Sequence, residues 1–254
     1  MFGMYLWQRH QDAPLSMGDD GPALADTDVS VLRIAIDGRA RKFVQSELAR
    51  IARVADTATD QGRVTMLREV SLTLRRLRDG WVYGGAINEA MDDLAHQKVR
   101  FDHHVDDARV RFREETISNV QGVTAGRVAS EYTPRSDEGA GLILVSIIGA
   151  ARRELYTVGE IASGYDLSNA LEALGTLDPF TLIAVEIVWQ PAEDTDRMSS
   201  IELEARYPPP QLIPLQGALV GRTFCLFCGA PFPAELVSCP HCGAPAPGRE
   251  RHVG

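Results

Sequence analysis

The chain has 254 residues, 44% of them hydrophobic and 24% charged, with a formal net charge of −9. These totals place it among ordinary folded proteins and exclude fibrous and low-complexity classes. The negative balance disfavours a protein whose main task is to neutralise phosphates. The charge is uneven: residues 38–118 carry 15 Lys/Arg against 13 Asp/Glu, and residues 119–221 carry 6 against 14.

Residues 8–28, rich in Asp, Gly, Pro and Ala without periodicity, read as a leader. Val29 to Ile36 is β-branched and reads as a strand, followed by a turn at Gly38. From Arg39 the apolar positions change to Phe43, Val44, Leu48, Ile51, Ala52 and Ala55, a helical stripe. A second helix starts after Thr59-Asp60, carries Val64, Leu67, Val70, Leu74 and Leu77, and stops near Asp79-Gly80, so the two form a hairpin. After a break at Trp81-Val82-Tyr83-Gly84-Gly85, the residues Ile87, Met91, Leu94, Phe101, Val105, Ala108 and Phe112 predict a third helix of about 30 residues.

Tyr132 to Gly139 reads as a loop. Three β-type stretches follow, Leu142 to Ile148, Leu155 to Val158 and Thr181 to Trp189. A short helix from Asp166 to Leu174, capped by Asp166 and ended by Gly175, separates the last two and suggests a crossover unit. The apolar run Gly139 to Ala151 is shorter than the roughly 20 residues of a membrane helix. Neither it nor the start of the chain reads as a span or a signal, and a cytoplasmic location is expected. The fold class is α+β: a small mixed sheet of three to five strands with the hairpin and the long helix on one face, leaving through Pro208-Pro209-Pro210.

Three phrases together resemble the domain of unknown function 1517 family: Trp81-Val82-Tyr83-Gly84, Arg113 to Asn119, and Ala184 to Pro191 followed by Glu204 to Pro208. The resemblance covers roughly residues 30–215. It implies kinship with proteins of photosynthetic lineages, some linked to chloroplasts and light acclimation, and it carries over no enzymatic activity. Many members bear a membrane-spanning or targeting segment near the start; this sequence departs from that pattern, and its cysteine module is an addition to it.

All four cysteines fall within 18 residues as Cys225-x2-Cys228-x10-Cys239-x2-Cys242. Two Cys-x-x-Cys knuckles supply four thiolates around one cation, and a closed tetrahedral shell is the mark of a structural metal. Gly229 and Gly243 follow each second cysteine, where the turn needs positive φ. The expected ligand set is Cys225, Cys228, Cys239 and Cys242 around one structural zinc, with iron, a redox dithiol or unbound thiols as alternatives. The segment has few large apolar groups and needs the ion to order it. His241, inside a knuckle, reads as a solvent-facing bystander. The expected division is a leader at 1–28, an α+β domain at 29–215, a zinc-ribbon module at 216–248 and a tail at 249–254.

Weaker constellations stand beside simpler explanations. His103 and Asp107 are four apart on one helix, but a single helix offers two ligands and no third is evident. Glu114, Glu115 and Glu186 could pair for acid/base work, but no spacing brings them into one pocket. Arg68, Arg75 and Arg78 could share a helix face, where an intramolecular role is the simpler one. No catalytic residue can be named. The sequence therefore points to a non-enzymatic interaction or regulatory protein with another protein as partner and Phe224, Phe227 and Phe232 as contacts. A hydrolase or transferase using His103, Glu114, Glu115 and Glu186 is the alternative; nucleic-acid binding through Arg222, Arg249 and Arg251 comes third.

Overall fold

A computed structural model describes residues 3–4, 27–91, 93–111, 141–155, 158–191, 198–215, 222–233 and 236–247. Its centre is a sheet of four long strands, β2 (Thr27–Asp37), β3 (Trp81–Met91), β4 (Leu142–Ala151) and β5 (Leu182–Gln190). Two-residue strands flank them, β1 (Gly3–Met4) and β6 (Ile213–Pro214), in the order β1-β5-β4-β2-β3-β6. The α+β class stands, and every pairing in this sheet is antiparallel. The crossover suggested between Leu155–Val158 and Thr181–Trp189 is therefore absent: neither Leu155 nor Val158 lies in a strand, and β5 pairs antiparallel with β4 instead.

The hairpin forms as its stripes require, with α1 at Arg41–Val54 and α2 at Asp60–Arg76. Val44, Leu48 and Ile51 from α1 and Val64, Leu67, Val70 and Leu74 from α2 are buried. The Thr59 hydroxyl caps α2 by accepting the Gly62 N–H at 3.1 Å, and a Cβ at Gly62 would fall 1.7 Å from the Asp56 carbonyl oxygen, so this tight entry requires glycine.

The segment read as a break is instead the first half of β3, paired with β2 from Ile36↔Trp81 to Thr27↔Met91. Gly84 and Gly85 mark close approach, not a turn: a Cβ at Gly85 would lie 2.0 Å from the Gln211 carbonyl oxygen. Ile87 and Met91, four apart, share a side in a strand as well as in a helix, so their spacing misled. The third helix, α3, starts only at Leu94, where the Asp93 carboxylate accepts the Ala95 N–H, and runs to Val110; Phe112 lies outside the described residues.

This helix also lies on the other side of the sheet from the hairpin. Leu32, Ile34 and Ile36 of β2 join the core with α1, α2 and α4 (Gly164–Gly175), whereas Val29 and Val31 join Phe101, Val105 and Ala108 of α3. All ten residues of β4 are buried, as a strand covered on both faces must be. Helix α4 has Ser163 as its cap, with Asp166 completing a capping box at the third position. Leu155 and Val158 are buried but belong to no strand: the Leu155 N–H is spent on the buried Asp28 carboxylate. A short helix, α5 (Ser200–Arg206), went unrecognised in the sequence; it packs Leu203 with Met198, Tyr207 and Leu212 beside α3.

Candidate metal centre

Strands β7 (Arg222–Phe224) and β8 (Pro231–Pro233) pair antiparallel, and the first knuckle forms the turn between them. Its Gly229 N–H donates to the Cys225 carbonyl at 2.9 Å, and the Cys225 N–H donates to Ala230 at 3.0 Å. The second knuckle repeats this closely: Gly243 N–H to Cys239 carbonyl at 2.8 Å and Cys239 N–H to Ala244 at 2.7 Å. Gly229 and Gly243 take φ of 77° and 76°, as the spacing predicts, because each knuckle turns through the left-handed region.

The four sulfur-bearing residues Cys225, Cys228, Cys239 and Cys242 converge, with all four sulfurs within 4.8 Å of one another. The nearest pairs bridge the knuckles, Cys225 Sγ to Cys242 Sγ at 3.5 Å and Cys228 Sγ to Cys239 Sγ at 3.8 Å. A tetrahedral shell with metal–sulfur bonds of about 2.3 Å has edges of about 3.8 Å, so the donor set fits a metal ion. No disulfide joins them. Burial works against ionising Cys225, yet the N–H groups of Cys228 and Phe227 aimed at its sulfur prevail and take its thiol down to about 7. Burial pushes Cys228 and Cys239 up.

The module is seated on the α+β domain. Arg39, held by the Asp37 carboxylate through two bonds of 2.9 Å, stacks over the Phe224 ring at 4.0 Å. His241 meets Phe43 of α1 edge-on at 5.4 Å, and Pro231 abuts Gly80. His241 is thus not solvent-facing: it is half-buried, and that burial lowers its pKa. Phe224 and Phe232 are likewise buried, because one faces the α+β domain and the other fills the module's own small core; of the three expected contacts only Phe227 is exposed, beside Leu226. The exit chain does not swing freely before the module, since β6 pairs Ile213 and Pro214 with Gly84 and Tyr83.

Of the acid/base candidates of the α+β domain, the two described, Glu186 and His103, lie in different surroundings. Glu186, fully buried in β5, accepts from Arg109 at 2.6 Å; burial lifts it to about 7 against the pull of that arginine. His103 is exposed on α3, and Asp107 pairs with Arg111 at 2.7 Å and lies 3.7 Å from the buried Arg33, not with His103. Glu114 and Glu115 lie outside the described residues, as do Arg249 and Arg251 and the side chain of Arg222. The buried histidine is His104, whose Nε2 sits 3.2 Å from Glu89; burial lowers its pKa. Arg33 also stacks on the Tyr207 ring at 4.8 Å. A charged centre on a middle strand gave no sequence signal, because only the fold brings α3 and α5 over Arg33. The arginines of α2 are used internally: Arg75 pairs with Glu172 at 3.0 Å and Arg68 Nε reaches the Gly175 carbonyl at 3.4 Å. A recess lies between α1, α2 and β5, lined by Leu48, Ile51, Ala52, Met66, Val70, Ile187 and Trp189, without an ionisable group.

Two curated relatives are similar to the chain. Protein FLAP1 homolog A of Synechocystis sp. is 31% identical over 208 residues, covering 78% of this chain and 62% of the relative. FLUCTUATING-LIGHT-ACCLIMATION protein 1, chloroplastic, of Arabidopsis thaliana is 29% identical over 182 residues, covering 72% and 46%. The chain thus spans less than two thirds of the length of either. No solved structure matches it. The expected cytoplasmic location is overturned by the second relative, which is chloroplastic by name. No helix among the described residues is long and apolar enough to cross a membrane, but that excludes only one kind of anchor and fixes no compartment. The model of the family described as "Protein of unknown function (DUF1517)" matches residues 26–215, and the chain belongs to that family.

Proposed function

We propose that this protein is a non-enzymatic regulatory protein whose α+β domain and C-terminal zinc module together present surfaces to a protein partner. The observation that carries this reading is how the ionisable groups of the α+β domain are used. Glu186, Asp107, His104 and Glu89 are each engaged with a side chain of their own chain, and the recess between α1, α2 and β5 is wholly apolar. An acid/base site needs such groups to converge on a cavity. The names of the two relatives support an acclimation role over a metabolic one.

Cys225, Cys228, Cys239 and Cys242 are the residues that would hold the ion, and zinc is the ion that their chemistry favours: four thiolates at tetrahedral separations, with no open position for water. Zinc bound there supplies folding energy and rigidity, while Cys239 and Phe232 pack the small core beside it. Nucleic-acid binding is the weaker reading, given the net charge of −9.

Affinity purification of the full chain from its native host, with elemental analysis of the same sample, tests both parts. The expected result is a stable protein partner and about one zinc per chain. A metal-free preparation from zinc-replete medium would remove the zinc assignment. Turnover of a small substrate, lost on disrupting the α+β domain, would remove the non-enzymatic one.

A further inference from the structure

The four cysteines are not equally sheltered. Cys225 and Cys239 are 3% and 1% exposed, Cys228 is half-buried, and Cys242 is exposed. The exposed cysteine also makes the shorter sulfur–sulfur approach between the knuckles, 3.5 Å to Cys225. We propose that Cys242 and Cys225 form a thiol-oxidation site, at which a hydroperoxide converts the metal-bound pair into an inter-knuckle disulfide and expels the ion. This rests on the zinc reading above.

The chemistry balances without any further reagent. The Cys242 thiolate attacks one peroxide oxygen and the O–O bond breaks; with one proton this gives Cys242 sulfenic acid and water. The Cys225 thiolate then attacks the Cys242 sulfur, the S–S bond forms, the S–O bond breaks, and hydroxide leaves as water with a second proton. The pair loses two electrons, and hydrogen peroxide is reduced to two waters. Exposure selects which cysteine reacts first, because Cys242 is the most exposed of the four; proximity selects the resolving sulfur. Cys228 and Cys239 remain, and two ligands do not close a tetrahedral shell.

The consequence reaches beyond the module. Cys242 follows His241, which packs on Phe43, and Cys225 follows Phe224, which lies under Arg39. Both reacting residues therefore sit beside the contacts that seat the module on the start of α1, and oxidation acts on that seat as well as on the ion.

The test uses the full zinc-loaded chain. Its metal content is first measured, then hydrogen peroxide is titrated in while zinc release is followed with a chromogenic chelator and disulfides are mapped by mass spectrometry of a non-reducing digest. The expected result is release in step with a Cys225–Cys242 crosslink, reversed by dithiothreitol with added zinc. With dimedone present to trap sulfenic acid, the adduct should form on Cys242. Crosslinks within each knuckle, a dimedone adduct on another cysteine in place of Cys242, or zinc retained while the methionines oxidise would each overturn the oxidation site alone. A chain that never binds zinc overturns the zinc reading on which it stands.

Discussion

Glu186 shows how a single buried carboxyl shapes the pH response of this fold. The residue is 0% exposed, Arg109 is its ion-pair partner, and its second carboxylate oxygen has no partner among the described residues. Burial raises its pKa from 4.5 to about 7, so between those values the folded state holds a proton that the unfolded chain has released. Stability from this group is therefore full below about pH 4.5, falls as pH rises, and is lost above about pH 7, by on the order of 3 kcal/mol. Glu186→Gln keeps an acceptor for Arg109 without the charge. Urea unfolding of the two proteins from pH 4 to 8 should show the variant gaining on the parent as pH rises; parallel profiles would mean that Glu186 is ionised throughout. The residue was visible in the sequence only as a strand carboxylate. Its partner on α3 was not, because 77 positions separate them and pairing across a sheet face leaves no local pattern.

At the scale of the element, the cysteine module depends on two supports of different kinds. The knuckles are local: each closes within six residues through its own N–H bonds and a glycine of positive φ, which is why their spacing could be read directly. Its seat is tertiary, made by Arg39, Phe43 and Gly80 from elements far away in the chain. Phe43→Ala removes the ring that His241 meets while leaving every sulfur in place. Hydrogen exchange should then speed up across β7 and β8 while metal content is unchanged; loss of the ion in this variant would mean that the seat, not the sulfurs, orders the knuckles. Helix α3 shows the opposite case. Its stripe of Phe101, Val105 and Ala108 was legible, but its start was misplaced because Ile87 and Met91 satisfy strand and helix spacing alike.

For the whole molecule, the sheet and its two helical layers form one body to which the module is added. The large core joins β2, β4 and β5 to α1, α2 and α4 and, among the described residues, receives only Phe224 from the module, so the α+β domain has what it needs to persist without metal. Chelation of the full chain should abolish order in residues 222–247, lower the thermal midpoint by a few degrees, and leave most of the far-ultraviolet circular dichroism intact. Collapse of the whole spectrum would show that the module is integral to the fold. The sequence by itself determined the α+β class, the α1–α2 hairpin and the four converging cysteines, because each rests on periodicity or spacing within a short stretch, and the family, because its phrases resemble those of known members. Only the tertiary structure decided that the strands pair antiparallel, that α3 covers the face opposite the hairpin, and that His241 and Phe224 fasten the module to α1. Strand neighbours and faces are chosen by which surfaces exclude water together, and the stripes of separate segments do not carry that information.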